Sequence, residues 1–311
     1  MNKPLVIILG PTAVGKTDVA IEIAKRINGE IISADSMQVY KYMDIGTAKP
    51  DKDEMEGIKH YLIDEIEPDK EFNAAIFQQK AFEYIDKILS RGKIPIVAGG
   101  TGLYINSLIY PLDFTDGISN WEYRDELNKI AENMGNDHIH NLLREIDPIS
   151  ACQIHPNNRK RVIRALEVYK ETGKTMSYYK KKSKDKKGPY NSLLIGLTME
   201  RQLLYERINQ RVDIMIEKGL VNEVRGILDR GYNKELTSML GIGYKEIIKY
   251  LEGKYTLDEA IYILKRDTRR FAKRQLTWFR SIENINWYNI REYHSQSYLI
   301  EDILKKITTF F

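Results

Sequence analysis

Five consecutive apolar residues, 5–9 (LVIIL), lead into a Gly-Pro turn, and a run without polar alternation reads as a strand buried on both faces. Residues 17–27 then set Val19, Ala20, Ile23, Ala24 and Ile27 at helical spacing, and residues 30–34 (EIISA) read as a second strand. Residues 72–90 repeat the helical spacing with Phe72, Ile76, Phe82, Ile85 and Leu89. Residues 94–98 (IPIVA) follow as a third strand that runs into Gly99-Gly100-Thr101-Gly102. Strand and helix alternating in this way predict an α/β fold: a parallel sheet whose loops gather at the carboxyl ends of its strands.

After Pro111 the pattern changes. Helical spacing recurs at 124–134 and 157–169 without a convincing strand until 192–198 (SLLIGLT), where the apolar run resumes. The expected organisation is a parallel-sheet core interrupted by a helical insertion: core in 1–112, insertion in 113–191, and a second, mainly helical part of the core in 192–311. Within that last part, 257–279 is the longest candidate helix, and a chain of 311 residues suits one core carrying an insertion. No internal repeat is apparent.

Composition narrows the setting. Hydrophobic residues at 42% and charged residues at 30% belong to an ordinary globular chain rather than a disordered or fibrous one. A single cysteine, Cys152, allows no internal disulfide and no cysteine-based metal cluster. The apolar runs fall far short of the roughly 20 residues that cross a bilayer, so a cytoplasmic protein with no membrane partner is expected. The net charge of +4 conceals a strong asymmetry. Residues 159–187 hold 12 Lys/Arg against three acids, and 265–280 hold seven against one, which leaves the rest of the chain acidic. Two basic blocks, the second containing Phe271, Trp278 and Phe279, point to a polyanionic partner with stackable bases.

Gly10, Pro11, Thr12, Ala13, Val14, Gly15, Lys16 and Thr17 fit G-x-x-x-x-G-K-[ST] after a strand and before a helix, the context of a phosphate-binding P-loop. Backbone N–H groups of such a loop converge on phosphate oxygens, Lys16 supplies a point charge, and the Thr17 hydroxyl is the usual Mg²⁺ ligand. No guanine-reading N-K-x-D occurs. Leu62-Ile63-Asp64 is a weak counterpart of the acidic strand end that helps hold metal in other P-loop proteins. Asp35, at the carboxyl end of the second strand, lies on the same sheet edge as the loop. A carboxylate there would either hold Mg²⁺ or take a proton from an attacking nucleophile. His138, His140 and His155 have no spacing that suits a metal site.

With DSMQVY (35–40), DIGTAKP (44–50), GGTGLY (99–104), KRVIRALEVY (160–169), GIGYKE (241–246) and TRRFAKRQLTWFR added to the GPTAVGKT loop, the chain resembles the bacterial tRNA dimethylallyltransferases from residue 10 to residue 280. The resemblance implies a P-loop core of the nucleoside-triphosphate-hydrolase type with a helical insertion. It also implies transfer of the dimethylallyl group of dimethylallyl diphosphate to N6 of the adenosine at tRNA position 37, beside the anticodon; a monomer is expected. The phosphate loop, an ATP-binding signature elsewhere, then holds a diphosphate leaving group. Two departures stand out: residues 57–61 (GIKHY) are poorer in histidine than the family stretch, and Asn157-Asn158-Arg159 stands where an Asp is common.

Carried over residue by residue, the resemblance makes Asp35 the general base, Thr101 a second group at the reacting centre, and residues 10–17 with Mg²⁺ on Thr17 the diphosphate cradle. Asp35, Ser36, Met37, Gln38 and Thr101 would contact the flipped-out base, and Arg124, Lys160, Arg161, Val162, Ile163 and Arg164 the tRNA anticodon stem-loop. Arg207 and Arg211 share one face if 203–216 is a helix; either reaches the diphosphate, with Arg211 favoured. A P-loop small-molecule kinase, with Asp35 acting on an alcohol, and a nucleotide-switched RNA-binding protein are the competing readings of the same residues.

Overall fold

The computed structural model describes residues 3–110, 120–184 and 188–311. In chain order its elements are β1 (Pro4–Leu9), α1 (Lys16–Arg26), β2 (Gly29–Ala34), β3 (His60–Tyr61), α2 (Ala74–Leu89), β4 (Ile94–Gly99), α3 (Gly102–Ile109), α4 (Trp121–Met134), α5 (Asn136–Ile146), α6 (Pro148–Gln153), α7 (Arg159–Thr172), α8 (Met176–Lys184), β5 (Asn191–Thr198), α9 (Arg201–Glu217), α10 (Leu220–Asp229), α11 (Tyr244–Leu251), α12 (Leu257–Phe279), β6 (Asn286–Asn289) and α13 (Gln296–Phe310). They divide into two compact units, Met1–Ile105 with Tyr190–Phe311, and Asn106–Pro189. The boundary expected at 112/113 and the Lys-rich residues 185–187 lie outside the described residues.

The first unit is built on one all-parallel sheet in the order β3-β2-β4-β1-β5-β6. Leu5, Val6, Ile7, Ile8 and Leu9 have no exposed surface, because β1 has strand neighbours on both edges and packing on both faces. Alternation along the strands assigns those faces. Val6, Ile8, Ile31, Ile96 and Ile195 join a single apolar cluster with Val19, Ala20 and Ile23 of α1, Leu204 and Ile208 of α9, and Ile300 and Ile303 of α13. Helix α2, capped by Asn73 accepting from the N–H groups of Ala75 and Ile76, packs on β2 and β4. Its Phe77 stacks on Tyr104 of α3 with ring centroids 4.2 Å apart.

Two strands escaped the hydrophobic pattern. β3 has only two residues, and β6 (NWYN) is a short strand at the opposite edge in which only Tyr288 is buried. Both take their place from pairing with longer buried neighbours, Ile31 with His60 and Leu197 with Tyr288, rather than from their own composition.

The second unit is helical through its described residues. Leu127, Ile139, Leu143, Val162, Ile163 and Leu166 form its core. Glu167 is fully buried there, and it is matched: Arg124 donates to its two oxygens at 2.7 and 3.0 Å, Arg164 donates at 2.5 Å, and the Asn120 N–H at 2.9 Å. Burial pushes the carboxyl up, but these hydrogen bonds outweigh it and hold Glu167 below the usual carboxylate range. Among the described residues no helix is long and apolar enough to cross a membrane.

The Phe77–Tyr104 stack supports the first turn of α3, where the Tyr104 N–H donates to the Thr101 carbonyl at 3.0 Å. Phe77→Ala should lower unfolding free energy by about 3–5 kcal/mol in urea melts, the usual cost of emptying a buried phenyl site.

Candidate active site

The sheet register brings the chemistry-bearing loops together. Leu9 pairs with Gly99 and Gly99 with Ala34, so β1, β2 and β4 reach their carboxyl ends at one level, while β5, whose Gly196 pairs with Leu9, runs two residues further. The loops beginning at Gly10, Asp35 and Gly100 therefore leave one sheet edge side by side.

The first loop is bent by Ala13 (φ 65°) and Gly15 (φ 95°), and the left-handed Gly15 is the N-cap of α1. Lys16 folds back over the loop, its ammonium donating to the Pro11 carbonyl at 2.8 Å. Removal from water and then the nearby Arg211 charge lower its pKa to about 7, against the opposing pull of Asp35. The Thr12 N–H donates to Gln275 Oε1 at 2.8 Å.

At the end of β2, Asp35 Oδ1 accepts the N–H groups of Met37 at 2.8 Å and Gln38 at 3.4 Å. This turn fixes the carboxylate while Oδ2 has no hydrogen bond among the described residues. At the end of β4, the Thr101 N–H donates to the Ala34 carbonyl and Thr101 Oγ1 accepts the Ser36 N–H, both at 3.1 Å. Because that oxygen acts as acceptor, the Thr101 hydroxyl keeps its proton to donate elsewhere.

Two adjoining clefts open here. One, of about 340 Å³, is lined by Thr12, Asp35, Ser36, Thr101 and Arg274 among its polar residues and by Met37, Ile208, Val212, Leu240, Ile242, Leu264 and Phe271 among its apolar ones. The other, of about 510 Å³, is charged: Lys16, Thr17, Asp18, Glu54, Arg207 and Arg211 line it. Ala13, Ala48, Arg211 and Met215 belong to both. Arg211 thus stands at the junction, whereas Arg207 faces only the charged cleft. Burial lowers the Arg211 pKa, opposed chiefly by Asp35, Asp18 and Glu54.

The wall at 44–48 is held from a distance. Glu223 accepts the N–H groups of Asp44, Ile45 and Gly46 at 2.9, 2.7 and 3.0 Å, and the Tyr244 hydroxyl at 2.7 Å. Burial, followed by the neighbouring Glu223, pushes the Tyr244 phenol well up. A Cβ on Gly46 would stand 2.6 Å from the Tyr244 ring, which accounts for the glycine of DIGT. Neither Glu223 nor Gln275 was singled out from the sequence, although the GIGY motif held the clue to the first.

The remaining residues singled out from the sequence fall in different settings. The Gln38 amide is occupied internally: it accepts from Ser33 Oγ at 2.8 Å and points Nε2 at the Thr47 and Ala48 carbonyls at 3.4 and 3.3 Å, so it braces the cleft wall. Val162 and Ile163 bury their side chains in the core of the helical unit, which withdraws those side chains from RNA contact. Arg124 and Arg164 are committed to Glu167, while Lys160 and Arg161 are exposed. Asp64 lines neither cleft and pairs with Lys49. His140 Nε2 lies between the carbonyls of Ala151 and Ile154, a packing role.

A family profile described as IPP transferase matches residues 38–282. The tRNA dimethylallyltransferase of Acetivibrio thermocellus is 60% identical over 306 residues, 98% of each chain. That of Alkaliphilus metalliredigens is 56% identical over 311 residues, covering 100% of this chain and 99% of its own. Among solved structures, the tRNA isopentenylpyrophosphate transferase of Bacillus halodurans superposes with a TM-score of 0.75 at 47% identity, over 99% of this chain and 97% of that one. A eukaryotic dimethylallyltransferase acting on tRNA superposes with a TM-score of 0.82 at 31% identity, over 98% and 80%.

With its pKa near 7, the Lys16 amine is largely neutral in the free protein at pH 8, and a bound polyanion favours its ammonium form. Calorimetric titration with inorganic diphosphate, in buffers of different ionisation enthalpy, should show more proton uptake for wild type than for Lys16→Arg at pH 8, a difference that disappears near pH 5.5 and from which the ligand's own ionisation cancels. Lys16→Arg, charged throughout, lacks the lysine's contribution at both pH values.

Proposed function

The chain belongs to the IPP transferase family, and from that premise we propose that the charged cleft takes the diphosphate of dimethylallyl diphosphate while its neighbour takes the dimethylallyl group and the target adenine. The chain is an enzyme that transfers a dimethylallyl group to tRNA. The observation that supports the division of labour is the sharing of Ala13 and Arg211 by a charged compartment containing Lys16 and Thr17 and a half-apolar one containing Asp35 and Thr101.

In this reading the donor lies across the junction. Breaking its C1–O bond leaves negative charge on the diphosphate, and stabilising that charge is the main electrostatic task. Lys16 exchanges the Pro11 carbonyl for a phosphate oxygen, and Arg211 neutralises the leaving group from the other side. The allylic cation, delocalised over three carbons, needs shielding from water rather than a partner, and the apolar wall around Val212, Leu240 and Ile242 supplies it. The N6 lone pair of the adenine forms the new N–C1 bond, diphosphate departs with the C1–O electrons, and the surplus N6 proton passes to Asp35 Oδ2. The hydrogen bonds on Oδ1 hold the carboxylate in place for this transfer. Thr101 donates its hydroxyl proton to the base or to an oxygen at the reacting centre.

The donors of the charged cleft suit Mg²⁺. Thr17 and Asp18 offer oxygens, and among the described residues no cluster of three or more His, Cys, Asp or Glu side chains forms a protein cage. An ion that takes most of its ligands from phosphate and water fits such a sparse set. When bound it adds positive charge beside the departing diphosphate.

The acceptor is the adenosine at position 37 of a tRNA anticodon loop, and a single-stranded loop makes unstacking of that base inexpensive. The reaction takes place in the cytoplasm, where tRNA and the donor meet. The exposed Lys160 and Arg161, together with the basic face of α12, supply phosphate contacts.

Nucleoside mass spectrometry after incubation with unmodified tRNA and dimethylallyl diphosphate should find N6-dimethylallyladenosine at position 37. In single-turnover assays on the preformed complex, Asp35→Asn should lower the rate about 10²–10⁴-fold, the range for a lost general base, with a smaller change in tRNA affinity. A mutant with the wild-type chemical rate would rule out Asp35 as the proton acceptor. Neutralising Lys160 and Arg161 should weaken tRNA binding and flatten its salt dependence by about two phosphate contacts. Arg164→Ala should instead lower thermal stability, because it strips a partner from buried Glu167.

A further inference from the structure

The side chains that α12 buries are Ala260, Leu264, Ala272 and Phe279, with a single polar one, Gln275, at 6% exposure. Burying a carboxamide costs free energy unless both of its ends are bonded. Here both are: Oε1 accepts the Thr12 N–H at 2.8 Å and Nε2 donates to the Gly100 carbonyl at 2.9 Å. These partners fix the amide's orientation, since a backbone N–H only donates and a carbonyl only accepts. One partner belongs to the phosphate loop and the other immediately precedes Thr101. Gly100 makes this approach possible, because a Cβ there would stand 2.2 Å from Nε2. A methionine would fill nearly the same volume, so packing alone gives no reason for an amide.

We infer that Gln275 is a positioning residue that ties the diphosphate-binding loop to the Thr101 loop and so sets the distance between leaving group and attacking amine. The inference rests on the two-cleft reading given above. Gln275 touches neither substrate; it acts through Thr12 and Thr101. It also sits between Arg274, which lines the apolar cleft, and Trp278, whose ring lies 2.3 Å from where a Cβ on Gly102 would stand. Any shift of α12 on binding RNA therefore reaches both loops through the same amide.

The test uses full-length enzyme and single-turnover transfer to tRNA from pH 6 to 9, each variant expressed as a ratio to wild type, with thermal melts confirming the fold. Gln275→Met removes both bonds and should lower the rate about 10–100-fold at every pH, the penalty for a misplacement on the order of 1 Å. Gln275→Glu keeps the acceptor for Thr12, but its ionised form sets a carboxylate oxygen against the Gly100 carbonyl. Its protonated form can donate to that carbonyl, and burial lifts its pKa toward the assay range. Its rate ratio should therefore recover at least severalfold from pH 9 to pH 6, while tRNA affinity stays within about threefold of wild type by the same geometric argument. A wild-type rate for Gln275→Met, or a Gln275→Glu loss that is independent of pH and equal to that of Gln275→Met, overturns the inference. Asp35→Asn and Thr101→Ala run in the same assay separate the two levels. If they lose rate while Gln275→Met does not, only the positioning role falls; if all retain the wild-type rate, the cleft assignment falls with it.

Discussion

Parallel pairing of β1 with β4 and of β4 with β2, in a register that ends all three strands at the Leu9–Gly99–Ala34 level, is the constraint on which the site depends. A parallel ladder leaves every following loop on the same edge, so residues from 10, 35 and 101 meet without any loop having to be long. A slip of two residues in any one pairing would keep the apolar faces inward yet move its loop by about 7 Å along the sheet. The hydrogen bonds across the loops, Ser36 to Thr101 and Thr101 to Ala34, report that the register is met.

Charges of both signs gather around that edge. Lys16, Arg207 and Arg211 face Asp18, Asp35 and Glu54 in a region where water is partly displaced, and burial, more than the neighbouring charges, lowers the pKa of Lys16 and Arg211. On the reading proposed above, a bound diphosphate supplies the compensation that burial leaves wanting. The helical unit solves the opposite problem: its buried Glu167 is fully matched by two arginines and a backbone N–H, so it is a settled element of structure.

The sheet and the long helix α12 were legible because each has a sustained apolar period, and α12 spans the residues its spacing indicated. Asp35 and Thr101 were legible as residues at strand ends. Gln275 was not: its bonds reach across 263 and 175 residues, and within a basic helix one glutamine gives no sign of facing inward. Glu223, on α10, is similarly remote from the 44–46 wall it holds. Val162 and Ile163 teach the converse, since their helical spacing marked a buried face and only the family resemblance of 160–169 placed them among RNA contacts.

The position of β5 has a kinetic consequence. β1 lies between β4 and β5, and its register with β5 joins Pro4 to Asn191 and Leu9 to Gly196, so one edge of the most apolar strand stays unpaired until the ribosome has made nearly two thirds of the chain. At 5–20 residues per second that interval lasts roughly 10 to 40 s. Residues 5–9 are then an exposed template for foreign strands, and the helical unit, whose contacts are local, is complete before the sheet that flanks it in sequence. Nascent-chain quality control should therefore meet this protein as a folded helical unit tethered to an unfinished sheet, with chaperone demand concentrated before the emergence of β5.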